Sequence, residues 1–221
     1  MDIDPQAFAE ARNRMVDSQL RPNKVSDPRI ISAARELPRE RFLPPHLAPL
    51  AYADEDVPLG EGRVLMEPCV IARLVQLASI SAGDRALVVG AGTGFGAALL
   101  AACGARVTAL EESASLQGMA RAALAELAPS VSLVSGPLEA GWPPGAPYDV
   151  ILIEGAVPEI PPAIGAQVRQ QSGRVVTVLS GQAICQAVLA EATPAGLRAQ
   201  PMFDCATAPL PSLLPKPRFE F

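Results

Sequence analysis

One stretch limits what this chain can fold into. Residues 85–100 read RALVVGAGTGFGAALL. Ala86–Val89 is an apolar run too short for a helix and suited to a buried strand. Gly90, Gly92, Gly94 and Gly96 follow at every second position, and Ala97–Cys103 then reads as a helix of small residues. Strand, glycine turn and helix in that order predict a parallel α/β unit. Glycine takes positive φ readily and lets a ligand approach the backbone closely. The free N–H groups of the new helix favour a polar or anionic ligand group. The next apolar run, Arg106–Leu110, ends in Glu111 and Glu112. Glu111 lies about twenty residues beyond the first glycine, where a nucleotide-binding fold sets a carboxylate on ribose hydroxyls. The pattern points to an adenosine-type cofactor, with a purely structural turn as the competing reading.

Downstream of the turn the alternation is regular. Strands are expected at Arg106–Leu110, Val131–Val134, Tyr148–Ile153 and Arg174–Leu179, and helices at Ser113–Leu127 and Gln182–Glu191. A short helical piece around Pro158–Gly165 joins the fourth and fifth strands, and Ala195–Phe203 and Arg218–Phe221 read as two further strands. Such alternation implies a mostly parallel sheet covered on both faces. Upstream, Pro5–Leu20 and Arg29–Leu37 read as helices, the second with Asp27 as N-cap and Pro28 in its first turn. A proline-rich irregular stretch, a turn with a short strand at Gly60–Glu67, and a helix from Pro68 to about Ile80 follow. Residues 1–80 are therefore expected to form a helical and looped cap packed on the same domain as the α/β unit of residues 81–221.

Composition removes several functions. The chain has 221 residues, 49% hydrophobic and 19% charged, which suits one packed domain and not a disordered chain. A net charge of -5 argues against a nucleic-acid surface. No apolar stretch approaches the roughly twenty residues that span a bilayer. The N-terminus, MDIDPQAFAEARNRM, lacks the basic and apolar regions of a signal peptide, so a soluble cytoplasmic protein is expected. His46 is the single histidine, and Cys69, Cys103, Cys185 and Cys205 are scattered, which predicts reduced thiols, no metal site and no Ser-His-Asp triad.

Several segments together resemble the protein-L-isoaspartate O-methyltransferase family. Met15-Val16, Gln19-Leu20, then Pro38-Arg39-Glu40-x-Phe42, then Ala51-Tyr52 match its MVxxQL, PRExF and AY in order. Gly90–Ala98, GAGTGFGAA, is similar to its GTGSGYxAA loop. Ala146-Pro147-Tyr148-Asp149 and Pro158-Glu159-Ile160-Pro161, with Gly141-Trp142 before them, resemble APYDxI…APEIP. The resemblance implies a class I S-adenosylmethionine-dependent methyltransferase fold: a Rossmann-like, doubly wound, seven-stranded and mostly parallel sheet with an antiparallel last strand and the N-terminal helical cap. It implies S-adenosylmethionine and S-adenosylhomocysteine as ligands and damaged protein or peptide as substrate. The implied reaction, a protein-repair step, is in-line methyl transfer to a free isoaspartyl or D-aspartyl carboxylate. Such a carboxylate is already a nucleophile at neutral pH, so alignment supplies most of the catalysis.

On that resemblance, Gly90, Ala91, Gly92, Gly94, Glu111, Glu112, Gly136 and Pro137 are the candidate cofactor-binding residues. Arg63, Val64 and Met66 occupy the family's hydroxyl-bearing loop, GQTISxP, which here reads GRVLMEP. Val64 and Met66 stand where Thr and Ser would be. Val88 replaces an acid before the turn, Gly136-Pro137-Leu138 replaces the GDG whose Asp holds adenine, and Glu154 replaces a small neutral residue. The departures imply weak or altered activity. They leave open a methyltransferase of the same fold with a less anionic acceptor, and a non-catalytic binding or scaffold relative. A nicotinamide-dependent dehydrogenase shares only the turn and the ribose acid.

Overall fold

Helix α1 (Pro5–Met15) runs into a wider π-type turn at Val16–Leu20 in the computed structural model, which describes residues 5–181 and 184–215. Asp27 caps α2 (Pro28–Glu36) by accepting from the Arg29 amide at 2.9 Å. Two short strands, β1 (Val57–Gly60) and β2 (Arg63–Leu65), pair as an antiparallel hairpin. Helix α3 (Pro68–Leu77) then buries Val70, Ile71, Leu74 and Val75 on its apolar side.

The family-like segments of this region hold one another. The Gln19 amide donates to Tyr52 O at 2.9 Å, the Tyr52 hydroxyl donates to Glu40, and Arg39 Nε donates to Ala51 O at 2.7 Å. Phe42 meets Phe95, the first residue after the glycine turn's last positive-φ position, edge-on at 5.4 Å between ring centroids.

The rest builds one sheet: β3 (Arg85–Val89), α4 (Phe95–Ala102), β4 (Arg106–Glu111), α5 (Ala114–Leu127), β5 (Ser132–Ser135), β6 (Val150–Val157), α6 (Pro162–Gly165), β7 (Arg174–Ser180), β8 (Cys185–Thr193) and β9 (Gly196–Asp204). Seven strands lie in the order β5-β4-β3-β6-β7-β8-β9. From β5 through β7 all pairings are parallel; β8 is antiparallel to both its neighbours. β6 is buried along its whole length, which is why its sequence is a continuous apolar run and not an alternating one. Alternate residues still serve opposite faces. Val88 joins the cluster that contains Met15, Ile30, Phe42, Leu65 and Leu99. Leu87 and Val89 join the other, with Leu110, Tyr148, Ile153 and Leu210.

Two expectations are corrected. The helix expected at Gln182–Glu191 is strand β8 from Cys185 onward. Alanine, glutamine and glutamate favour helix locally, but this segment satisfies its backbone against β7 on one side and β9 on the other. Among the described strands the reversed one is accordingly β8 and not the last, β9, which runs with the others. The strand expected at Arg218–Phe221 lies outside the described residues.

Candidate functional site

The glycine turn is set by backbone geometry. Gly90 and Ala91 both donate N–H to Leu110 O at 3.0 Å, tying the turn to the neighbouring strand. Gly90, Gly92 and Gly94 have φ of +73°, +56° and +97°, the left-handed region that side chains resist. A Cβ on Gly94 would press on Leu124 at 3.0 Å. The whole turn from Gly90 to Phe95 is buried.

Glu111, at the end of β4, is fully buried. Its Oε2 accepts from Gly92 N at 2.7 Å; its Oε1 accepts from the amides of Glu112 and Ser113 at 2.9 and 3.0 Å. A fourth donor is Arg63 Nη1 at 3.0 Å, and Arg63 Nη2 reaches Gly90 O at 2.7 Å. So the direction of Arg63 is settled: it crosses from the hairpin onto the turn and pairs with the acid that the sequence assigns to ribose.

Two further buried ionisable side chains, Glu154 and Arg39, lie near this pair. Glu154, on β6, sits against the start of α4, where a Cβ on Gly96 would collide with its carboxylate. Burial pushes its pKa up to about 8, against the pull of Arg63, Arg39 and the Gly96 amide, with Glu111 adding to the rise. One of its oxygens, Oε2, has no hydrogen-bond partner among the described residues. Arg39 is fully buried with its guanidinium 4.7 Å over the Phe95 ring, and it donates to Met66 O as well as to Ala51 O. Burial lowers its pKa to about 10. Arg39 Nη1 and Thr93 Oγ1 are also buried without a partner among the described residues.

Two segments cover the turn. One is the β1–β2 hairpin, which brings Leu59 and Arg63. The other is residues 207–213. Ala156 N donates to Ala208 O at 3.0 Å and Leu210 N to Ala156 O at 2.9 Å, so this strap pairs with the end of β6. Asp56 ties the two together. Its Oδ1 accepts from Glu67 N at 2.7 Å, and its Oδ2 from Thr207 Oγ1 at 2.7 Å and Ala208 N at 3.1 Å. The strap points Leu210 inward, 1% exposed. A Cβ on Gly90 would meet it at 3.1 Å and a Cβ on Gly155 at 2.7 Å. Those two glycines therefore leave the room that Leu210 fills.

Of the candidate residues, Gly90, Ala91, Gly92, Gly94, Glu111 and Arg63 come together here. Glu112 begins the edge beside them: it is exposed and accepts from Leu138 N at 3.4 Å. Gly136 faces Leu110 and Trp142, and Pro137 is exposed. Val64 is half-buried opposite Pro58, and Met66 is buried in the core at 1% exposure. Val88 packs inside the sheet at 0% exposure. Sequence reading missed Leu210 and Asp56, which belong to no motif, and took Arg39 only as part of PRExF.

Among the described residues no cluster of His, Cys, Asp and Glu could hold a metal ion, and no helix is long and apolar enough to cross a membrane. The arrangement is a covered glycine turn with the buried ion pair Arg63–Glu111 beside it. Residues 10–193 match the family model of protein-L-isoaspartate(D-aspartate) O-methyltransferase. The protein-L-isoaspartate O-methyltransferase of Methylorubrum extorquens (strain PA1) is 43% identical over 77% of this chain and 75% of the relative. Protein-L-isoaspartate O-methyltransferase 1 of Rhodopseudomonas palustris (strain HaA2) is 34% identical over 97% of this chain and 91% of the relative. A solved protein-L-isoaspartate O-methyltransferase superposes with a TM-score of 0.78 at 24% identity, covering 91% of this chain and 67% of the other. A Plasmodium falciparum structure proposed to be of the same type, in complex with S-adenosyl-L-homocysteine, gives a TM-score of 0.71 at 15% identity, covering 96% and 100%. These two structures bear on the fold, seven strands with helices on both faces, and the sequence relatives bear on descent. The chain belongs to the protein-L-isoaspartate(D-aspartate) O-methyltransferase family.

Proposed function

We propose that this chain is an S-adenosylmethionine-dependent methyltransferase acting on the free carboxylate of isoaspartyl residues in damaged protein or peptide, at a rate well below that of a typical relative. One observation carries the reading. Within the span that matches the family, Gly92 N and Glu111 Oε2 meet at 2.7 Å, so the glycine turn and the ribose acid form one cradle. Residues 1–80 serve this cradle as a cap, since Arg39 and Arg63 reach the turn from that segment. A cytoplasmic setting suits the four free cysteines.

In this conformation Arg63 and Leu210 lie over the cradle and must move aside for the cofactor to reach it. Both oxygens of Glu111 are engaged, and Arg63 and Leu210 fill the space over Gly90. What the chain's own residues contribute is clear without it. The cover keeps water from the turn, Arg63 supplies the counter-charge to buried Glu111, and Glu154, its pKa pushed up to about 8, holds its proton at neutral pH. The reduced rate follows from the hydroxyl loop. Val64 and Met66 offer no donor, and Met66 is turned into the core. An acceptor carboxylate would lose water without replacement, and loss of one preorganised donor costs roughly a hundredfold in rate.

The test is transfer of a labelled methyl group to an isoaspartyl peptide, with the aspartyl peptide as control. Slow transfer to the isoaspartyl peptide alone supports the proposal. No transfer by a protein that binds S-adenosylhomocysteine refutes the acceptor, and favours a less anionic one that tolerates buried Glu154.

A further inference from the structure

We propose that Arg63 and Leu210 form a two-part latch that stands in for the cofactor and must be displaced before it binds. The inference rests on the reading of Gly90–Gly94 and Glu111 as the cofactor cradle.

Each part fills one need of the cradle. Glu111 is 0% exposed, and a buried carboxylate requires donors and a counter-charge. Three backbone amides supply donors; Arg63 supplies the charge and shares Oε1 with two of them. Arg63 Nη2 also takes the carbonyl of Gly90. A ribose on Glu111 competes with Arg63 for that oxygen. Leu210 fills the apolar need. It lies over Gly90 and Gly155, the two positions where a missing Cβ permits close approach. Without it the turn would face water beside an apolar floor.

The two parts are coupled. Arg63 stands on a three-residue strand, and Leu210 on a strap paired with only the end of β6. Asp56 accepts from Glu67, just beyond that strand, and from Thr207 and Ala208, just before Leu210. A Cβ on Gly62 would lie 2.9 Å from Pro211 Cγ, so the strap also rests on the hairpin's turn. Hairpin and strap therefore close as one unit. A ligand that binds only the open form has its apparent affinity reduced by the open fraction. A latch closed about nine-tenths to ninety-nine hundredths of the time weakens binding roughly ten- to a hundredfold.

The experiment is calorimetry with S-adenosylhomocysteine on the full chain, on Leu210→Ala, which keeps the Arg63–Glu111 pair, and on Arg63→Gln, which keeps a donor but removes the charge. The latch predicts a Kd about tenfold lower in each variant. A second measurement needs no variant: amide exchange of Ala208 and Leu210 in the parent should accelerate about tenfold when the ligand is bound. Unchanged or weaker binding by folded Leu210→Ala, with exchange unaltered in a parent that binds, overturns the latch and leaves the cofactor reading standing. Absence of binding by all three proteins overturns the cofactor reading, and the latch with it.

Discussion

Replacing Glu154 by Gln should stabilise this protein at alkaline pH and leave it nearly unchanged in acid. The carboxyl is fully buried against the start of α4, with Arg39 and Arg63 as the cations near it and Glu111 as the nearby anion. Its pKa rises from 4.5 to about 8, mainly through burial. The folded protein therefore binds the proton more tightly than the unfolded chain does. Below about pH 4.5 both states are protonated and no penalty exists. Between pH 4.5 and 8 the unfolded chain ionises first, so stability falls as pH rises; above about 8 both are ionised and the penalty is complete. At about 1.4 kcal/mol per pKa unit, that interval amounts to about 5 kcal/mol as a ceiling. Glutamine matches the shape and carries no charge. Urea denaturation of both proteins from pH 5 to pH 9 should show the difference opening steadily, with Glu154→Gln a few kcal/mol more stable at pH 9. Parallel pH profiles would show that Glu154 is ionised and well solvated in the folded chain, contrary to its burial.

Asp56→Ala removes the acceptor of three hydrogen bonds that join hairpin to strap; about 2–3 kcal/mol of stability should be lost by urea denaturation, and a loss under about 0.5 kcal/mol would show the tie to be incidental. Gly92→Val places a β-branched residue at φ +56°, beside Leu59 and Arg63; S-adenosylhomocysteine binding should vanish by calorimetry while far-ultraviolet dichroism shows the fold retained, and unimpaired binding would place the site elsewhere. Val64→Thr should raise isoaspartyl methylation without unfolding, because Val64 is half-buried at the hairpin. Pairing it with Met66→Ser adds the second hydroxyl but hollows the core, at about 2–5 kcal/mol; the double variant should gain rate per folded molecule yet melt earlier, and an unchanged rate in both would free the hydroxyl loop from blame.

The parts legible in the sequence were those whose signal is local or periodic. Ala86–Val89 could only be a buried strand, the glycines after it could only turn, and Asp27-Pro28 could only begin a helix. Strand β8 was illegible because Ala187, Ala190 and Glu191 carry helical preference, and the pairing that overrides it comes from β7 and β9. The site divided in the same way. Glu111 was found by its spacing from Gly90. Arg63 was named by its place in a loop, but spacing says nothing about where a guanidinium points. Leu210 lies far along the chain in a proline-rich tail, and only three-dimensional contact with Gly90 and Gly155 reveals it.

The two buried acids also couple latch to proton. Arg63 serves both: it pairs with Glu111 at 3.0 Å, and its charge holds the Glu154 pKa below where burial alone would put it. If ligand displaces Arg63 from the cradle, Glu154 loses part of that support, and its pKa must rise further above about 8. At pH 8 the carboxyl is near half-ionised before binding and mostly protonated after it, so binding should take up to about half a proton. The sign is fixed: uptake, greatest near pH 8, falling toward pH 6 where Glu154 already holds its proton. Calorimetry of S-adenosylhomocysteine binding in buffers of differing ionisation enthalpy measures this directly. The ligand's own amine titrates in the same range, so Glu154→Gln is the control in which the Glu154 share disappears. Equal proton uptake in the parent and in Glu154→Gln would mean that Arg63 does not leave the neighbourhood of Glu154 when the ligand enters.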